Sequence, residues 1–111
     1  MKVLHVSGAK GWGGNEQQII NIIPELNILG VENIVFGVQN SLLKKKCDEN
    51  NFNYIEAKKS KLNRFANYRY LKTLTNQLKP DLIHLHTSDS LTVFVFSDLL
   101  FRLKTKTIFS R

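Results

Sequence analysis

A single cysteine, Cys47, occurs among the 111 residues. It excludes an intramolecular disulfide framework and any Cys-rich metal site, and it suits a reducing compartment. Proline is nearly as scarce, with two, and glycine numbers six, so collagen-like and low-complexity classes drop out. No apolar run reaches the ~18 residues needed to span a bilayer. Met1-Lys2-Val3-Leu4-His5 passes straight into a strand-like run, without the long apolar stretch and small-residue cleavage site of a signal peptide, and a cytoplasmic location is expected. Acidic residues are also few, nine against sixteen Lys and Arg, for a net charge of +7. What is present is a basic chain with 42% hydrophobic residues, of the ~100–150-residue length typical of one domain.

Two kinds of segment alternate along it. Val3-Leu4-His5-Val6-Ser7 is β-branched and apolar, and predicts a first strand. A stretch holding Gly8, Gly11, Gly13 and Gly14 follows, then a helical pattern of Ile19, Ile20, Ile22, Ile23 and Leu26 closed by Gly30 at a C′-like position. Asn15 is the expected N-cap, with Glu16 complementing the helix dipole. Pro24 removes the bond to the carbonyl of Ile20, so a kink or a split is expected there. Asn33–Val38 predicts the second strand. Ser41 is placed to cap a short helix with Leu42, Leu43 and Cys47 inward and Lys44, Lys45 and Lys46 mainly outward.

Phe52–Ile55 predicts a third strand. A basic loop then leads to an amphipathic helix with Phe65, Tyr68, Leu71, Leu74 and Leu78 on its apolar stripe, stopped by Pro80. Leu82-Ile83-His84-Leu85-His86 predicts a fourth strand, buried on both faces. The capping cluster Thr87-Ser88-Asp89-Ser90 introduces Leu91–Leu103, read as a helix. It is apolar nearly all round, which means deep burial or a face that takes a partner. Thr105–Phe109 closes the pattern as a fifth strand. Strand and helix alternating in this way give an α/β fold, a Rossmann-like parallel sheet of order 3-2-1-4-5 with helices on both faces. Binding groups then gather at the carboxyl ends of the strands, where strands one and four diverge.

The glycine-rich loop sits at that point. Glycines between a first strand and a first helix let backbone N–H groups approach an anion; the same glycines also serve a tight turn with no ligand. A dinucleotide fingerprint is not formed, because counting on from Gly11 and Gly13 puts Glu16 where the third glycine belongs, and Gln39-Asn40 follows strand two where an acidic ribose partner is needed. No Gly-Lys-Ser/Thr ending is present for a P-loop.

Val3-Leu4-His5-Val6, Gly13-Gly14-Asn15-Glu16, Leu29-Gly30-Val31 and Lys79-Pro80-Asp81-Leu82-Ile83-His84-Leu85-His86, in this order, resemble the N-terminal half of family 4 glycosyltransferases. The resemblance implies a retaining, metal-independent transferase of GT-B architecture, in which two Rossmann-like domains face a cleft. It implies that residues 1–111 are the acceptor-binding N-terminal domain, incomplete, with the donor-binding C-terminal domain outside them. The co-substrate would be a nucleotide-sugar, with no cofactor, and the acceptor a glycan or lipid-linked glycan of cell-surface polysaccharide or lipopolysaccharide synthesis. By the same resemblance Gly13, Gly14, Asn15 and Glu16 line the cleft as a donor-phosphate and acceptor loop. His86, Thr87, Ser110 and Arg111 form the acceptor rim. Several members carry a histidine after strand five that contacts the donor sugar; Ser110 stands in that place, with Arg111 as an anion contact. The alternative class is a non-catalytic Rossmann-like module that binds an anion or nucleotide.

His84 and His86 lie two apart and leave one side of their strand. No third ligand pattern accompanies them, so no metal is expected. His84 is expected to be a satisfied core histidine. His86, at the strand's end, is expected at the cleft rim, either as a packing residue or as the candidate catalytic group. Lys58, Lys59, Lys61 and Arg64 form one basic cluster and Lys44–Lys46 another. Such clusters are either a solvated surface or a site for polyanions. Without a nucleic-acid motif or stacking platform, an anionic membrane surface is the expected partner, with the protein peripheral on its inner face.

Overall fold

A computed structural model describes residues 1–110; Arg111 lies outside the described residues. Five strands, β1 (Lys2–Ser7), β2 (Glu32–Gly37), β3 (Asn53–Glu56), β4 (Leu82–Leu85) and β5 (Lys106–Phe109), alternate with four helices. The helices are α1 (Gly14–Ile28), α2 (Leu42–Glu49), α3 (Phe65–Leu78) and α4 (Ser88–Phe101). All pairings are parallel and the order is β3-β2-β1-β4-β5, as the alternation predicts.

Side-chain alternation along the strands builds a separate core on each face. On one, Leu4, Val6, Ile34, Phe36, Ile83 and Leu85 pack under Leu71 and Leu74 of α3 and Val93 of α4. On the other, Val35 packs under Ile19 and Ile23 of α1 and Leu43 and Cys47 of α2. His5, Asn33, His84 and His86 join this second face and are buried, so its floor is polar beneath a largely apolar roof. Both faces of the central strands are covered, which explains their near-continuous apolar runs.

Local chemistry sets most helix ends. Ser41 accepts from the Lys44 N–H at 3.0 Å. Thr87 and Ser90 form a reciprocal capping box, which satisfies donors that a helix N-terminus otherwise leaves open. Gly30 closes α1 with φ +83, a left-handed conformation glycine adopts without steric cost.

Four local expectations change. The N-cap of α1 is Gly13, whose lack of a side chain leaves the helix without a side-chain cap, and Asn15 lies inside the first turn. The helix runs unsplit through Pro24, because Pro24 is exposed and water can solvate the carbonyl it leaves unpaired. Leu42 is 47% exposed, while Leu43 and Cys47 are buried; α2 has room for one of the two leucines against the sheet. In α3 the buried set is Asn67, Leu71, Leu74 and Thr75, with Phe65 at 56% exposure. Asn67 takes an inward position because it serves the preceding loop. As for α4, Ser90, Val93 and Ser97 are buried and Leu91 and Phe94 pack partly buried against the core, with Ser97 bonded to the Tyr68 carbonyl of α3; Val95, Phe96, Leu99 and Leu100 are exposed, so one side of the helix is apolar and open.

Candidate functional site at the carboxyl ends of the strands

Strands β1 and β4 are neighbours whose following helices lie on opposite faces of the sheet, which opens a crevice above their carboxyl ends. Gly8, at the end of β1, donates its N–H to the Thr87 Oγ1 at 3.0 Å, and Thr87 Oγ1 donates to Asp89 Oδ1 at 2.5 Å. The hydroxyl also accepts from the Ser90 N–H at 3.3 Å. Thr87 therefore stands at the rim with its hydroxyl fully engaged: it laces β1 to the start of α4. A methyl group on Gly8 would lie 1.9 Å from Asp89 Oδ2, so this glycine is needed for close approach. A cavity of about 350 Å³ opens beside it, lined by Gly8, Lys10, Ser60, Lys61, Asn63 and Asp89. It brings together the loops after β1 and β3 and the first turn of α4.

On the other side of the crevice, Gly13 and Gly14 open α1. A methyl group on Gly14 meets nothing within 4 Å, so the approach to the uncapped first turn is clear. Those N–H groups and the helix dipole make an anion-accepting end. Glu16 is buried at 5% exposure, with a carboxylate oxygen 3.3 Å from where a Cβ of Gly13 would be, so it packs against the loop instead of presenting itself to the crevice.

His86 departs from expectation: its side chain is fully buried. The register that sets His5 opposite His84 places all three histidines on one face, with ligand nitrogens within 4.8 Å of one another. The third imidazole that was missing from the His84–His86 pattern is therefore His5, 79 residues earlier in the chain and brought in by strand pairing. The hydrogen-bond network assigns the tautomers. Asn33 uses its amide N–H groups on Asn27 Oδ1 and the Val31 carbonyl. Its Oδ1 thus accepts from His5 Nε2 at 2.9 Å. His5 Nδ1 then accepts from His86 Nε2 at 3.1 Å.

His86 Nδ1 is left as a buried lone pair without a partner among the described residues. Burial holds His5 down to about 4 and His86 to about 2, so the His5–His86 pair is neutral. His84 stacks on His86 with ring centres 3.8 Å apart, and its Nε2 lies 2.6 Å from Ser110 Oγ. His84 is the satisfied core histidine expected, and Ser110, half-buried, is spoken for by it. His5 and His84 thus have ring nitrogens engaged in hydrogen bonds, whereas His86 keeps one nitrogen unpartnered among the described residues.

The basic residues divide. Lys61 reaches the rim cavity. Lys58 and Lys59 line a second cavity with Gln39, beside α3. Arg64 is the N-cap residue of α3, exposed, with its guanidinium on the Asn63 carbonyl at 2.9 Å. Lys10, Asn63 and Asp89 were not picked out from sequence as rim residues; only the convergence of three loops brings them together.

No protein-family profile and no curated protein sequence matches this chain. Solved structures do. A glycosyltransferase from Rickettsia africae ESF-5 superposes with a TM-score of 0.76 at 22% identity, over 97% of this chain and 28% of that one. Anabaena Alr3699/HepE in complex with UDP-glucose gives 0.71 at 17% identity, over 98% and 28%. Acinetobacter baumannii MurG gives 0.70 at 14%, over 97% and 34%. The chain thus spans about a third or less of the length of these proteins. Over nearly all its own length it has the Rossmann-like α/β fold found in GT-B glycosyltransferases.

Proposed function

We propose that this chain is the N-terminal, acceptor-side domain of a GT-B glycosyltransferase, which moves a sugar from a nucleotide-sugar donor to a glycan or lipid-linked acceptor. The observation that carries the reading is the crevice between β1 and β4, with the uncapped start of α1 on one side and the rim cavity on the other, in a fold shared with glycosyltransferases. A nucleoside diphosphate is an anion of the kind an open helix start attracts, and one of the similar structures holds UDP-glucose. In this reading Gly13 and Gly14 present backbone N–H groups to the donor diphosphate. The rim cavity of Lys10, Lys61, Asn63 and Asp89 receives the acceptor, with Lys10 and Lys61 drawing anionic groups and Asp89 accepting from hydroxyls.

His86 acts from below the rim, as a buried support of the β4 end. Retention of anomeric configuration, independence of metal, a cytoplasmic or inner-membrane location and a role in cell-surface polysaccharide synthesis are parts of the same proposal, resting on the family resemblance of the sequence. The test is Gly14→Val in the full-length protein. The added side chain points into open space, so the fold is kept. Turnover with a nucleotide-sugar should fall by at least ~10-fold as backbone approach to the diphosphate is blocked. Unchanged kinetics in the folded variant would return the loop to a simple turn. Donor binding without any transfer by the unaltered protein would favour the non-catalytic module instead.

A further inference from the structure

The protein has three histidines, and the fold gathers all of them in one place. His84 belongs to β4 and His86 follows two residues on, so both leave the same face. His5 of β1 is the register partner of His84 and joins them from the neighbouring strand. Histidine is only intermediate in its tendency to be buried. Here His5 and His86 are fully enclosed and His84 is 8% exposed. A buried polar atom costs free energy unless it is partnered, yet His86 Nδ1 has no partner among the described residues.

The cluster has the parts of a metal site. One nitrogen from each imidazole lies within 4.8 Å of the others. His5 Nδ1 and His86 Nε2 are 3.1 Å apart, close to the ~3.3 Å between two imidazole nitrogens on a tetrahedral zinc ion. Two of the rings have outer partners: Asn33 Oδ1 holds His5 Nε2 at 2.9 Å, and Ser110 Oγ lies 2.6 Å from His84 Nε2. Such partners orient a ligating imidazole and leave its other nitrogen for the ion. No carboxylate belongs to the group, which selects a borderline transition ion over magnesium or calcium.

We infer that His5, His84 and His86 bind one divalent transition ion of the zinc type, as a clip between β1 and the end of β4. The ion takes the place of the proton between His86 Nε2 and His5 Nδ1, and that proton moves to His86 Nδ1. The exchange leaves the number of buried unpartnered atoms unchanged and gains three metal–nitrogen bonds. The fourth position of the ion goes to water. His84 is the least enclosed ring and gives the ion its way in from the Ser110 side. The clip goes beyond the transferase reading and does not rest on it. It lies beneath the crevice, where His5 and His86 are closed to any substrate, and braces the strand ends that lead into Gly8 and Thr87.

The experiment uses the full chain, purified without a polyhistidine tag and stripped with a chelator. It is titrated with Co²⁺, whose visible spectrum reports its coordination. Strong four-coordinate bands are expected, saturating at one equivalent and bleached by Zn²⁺. Zn²⁺ should also raise the thermal midpoint, and a chelator should reverse the rise. Asn33→Ala should lower zinc affinity by ~10–100-fold, and His84→Gln by more. Should either variant fail to fold, the cobalt spectrum of the unaltered chain decides alone. The chain has no other histidine, so imidazole ligation can come from nowhere else. The weak spectrum of fully hydrated cobalt, a sulfur-to-cobalt absorption from Cys47, or an affinity unchanged in His84→Gln overturns the inference. The three imidazoles would then be a packed hydrogen-bonded cluster and nothing more.

Discussion

His86 donates its Nε2 proton to Nδ1 of His5 across 3.1 Å, in a space closed to solvent. The pair spans 81 residues of sequence, and with Asn33 it ties β1 and β2 to the residue that follows β4. Each member must stay neutral, since a proton on His86 Nδ1 would have no acceptor and a second proton on His5 would face His86.

Acid sensitivity follows. Burial is the main cause that lowers His5 to about 4, opposed by its bond to Asn33 and helped by His84. Burial, then the neighbouring His84 and His5, lower His86 to about 2. Unfolded histidines titrate near ~6.5, so below that pH the unfolded chain binds protons that the folded chain refuses. Stability is full above ~6.5 and falls as pH drops, by up to ~1.4 kcal/mol per pH unit for each group. The decline from His5 ends near 4 and that from His86 continues toward 2. Urea midpoints taken across this range should fall with acid, and His86→Leu should flatten the slope by about one proton. A slope that stays the same in the variant would show that other groups carry it.

Gly8 and Asp89 form a close contact that admits no side chain. A Cβ on Gly8 would lie 1.9 Å from Asp89 Oδ2, and Asp89 is held there by Thr87. Gly8→Ala should cost ~1–3 kcal/mol in chemical denaturation. Adding Asp89→Ala should recover most of it, because the obstruction is that one carboxylate. Two independent, additive losses would place the strain in the backbone instead.

Asn67 organises the basic loop from inside α3. Fully buried, it accepts from the Lys58 N–H at 2.7 Å and donates to the carbonyls of Lys58, Lys61 and Leu62 at 2.8, 3.1 and 2.9 Å. Asn67→Ala leaves these groups without partners and should cost ~2–4 kcal/mol. Amide hydrogen exchange in residues 58–62 should rise before that of the strands does. Asn67→Asp, which keeps the acceptor but loses the donors, should be nearly as destabilising.

Cys47 is buried under α2, and burial raises its thiol to about 12. It should resist thiol reagents near neutral pH in the native protein and react on unfolding. Rapid labelling under native conditions would mean that α2 opens readily.

Element identity was legible because it is local. Ser41 and Thr87 cap helices, Gly30 ends one, and Pro80 follows another; each acts on its own few residues. Asn15 is the complementary case: its side chain suits capping, but the helix begins at Gly14 with Gly13 as N-cap, which puts Asn15 inside the first turn. Phe65 is apolar and in phase with the stripe yet more than half exposed, whereas Asn67 is buried through four hydrogen bonds to a loop whose course no periodicity reveals.

By itself, the sequence determined an α/β chain, its strand order and the end of the sheet where a crevice forms, since periodicity, glycine and proline placement and the short connections leave few other arrangements. Only the tertiary structure decided which side chains meet. It set His5 against His84 and withdrew His86 from the rim. It closed Gly8 onto Asp89 and drew the loops after β1 and β3 around one cavity. Those outcomes depend on strand register and loop convergence between residues far apart in the chain, and no local pattern of residues encodes them.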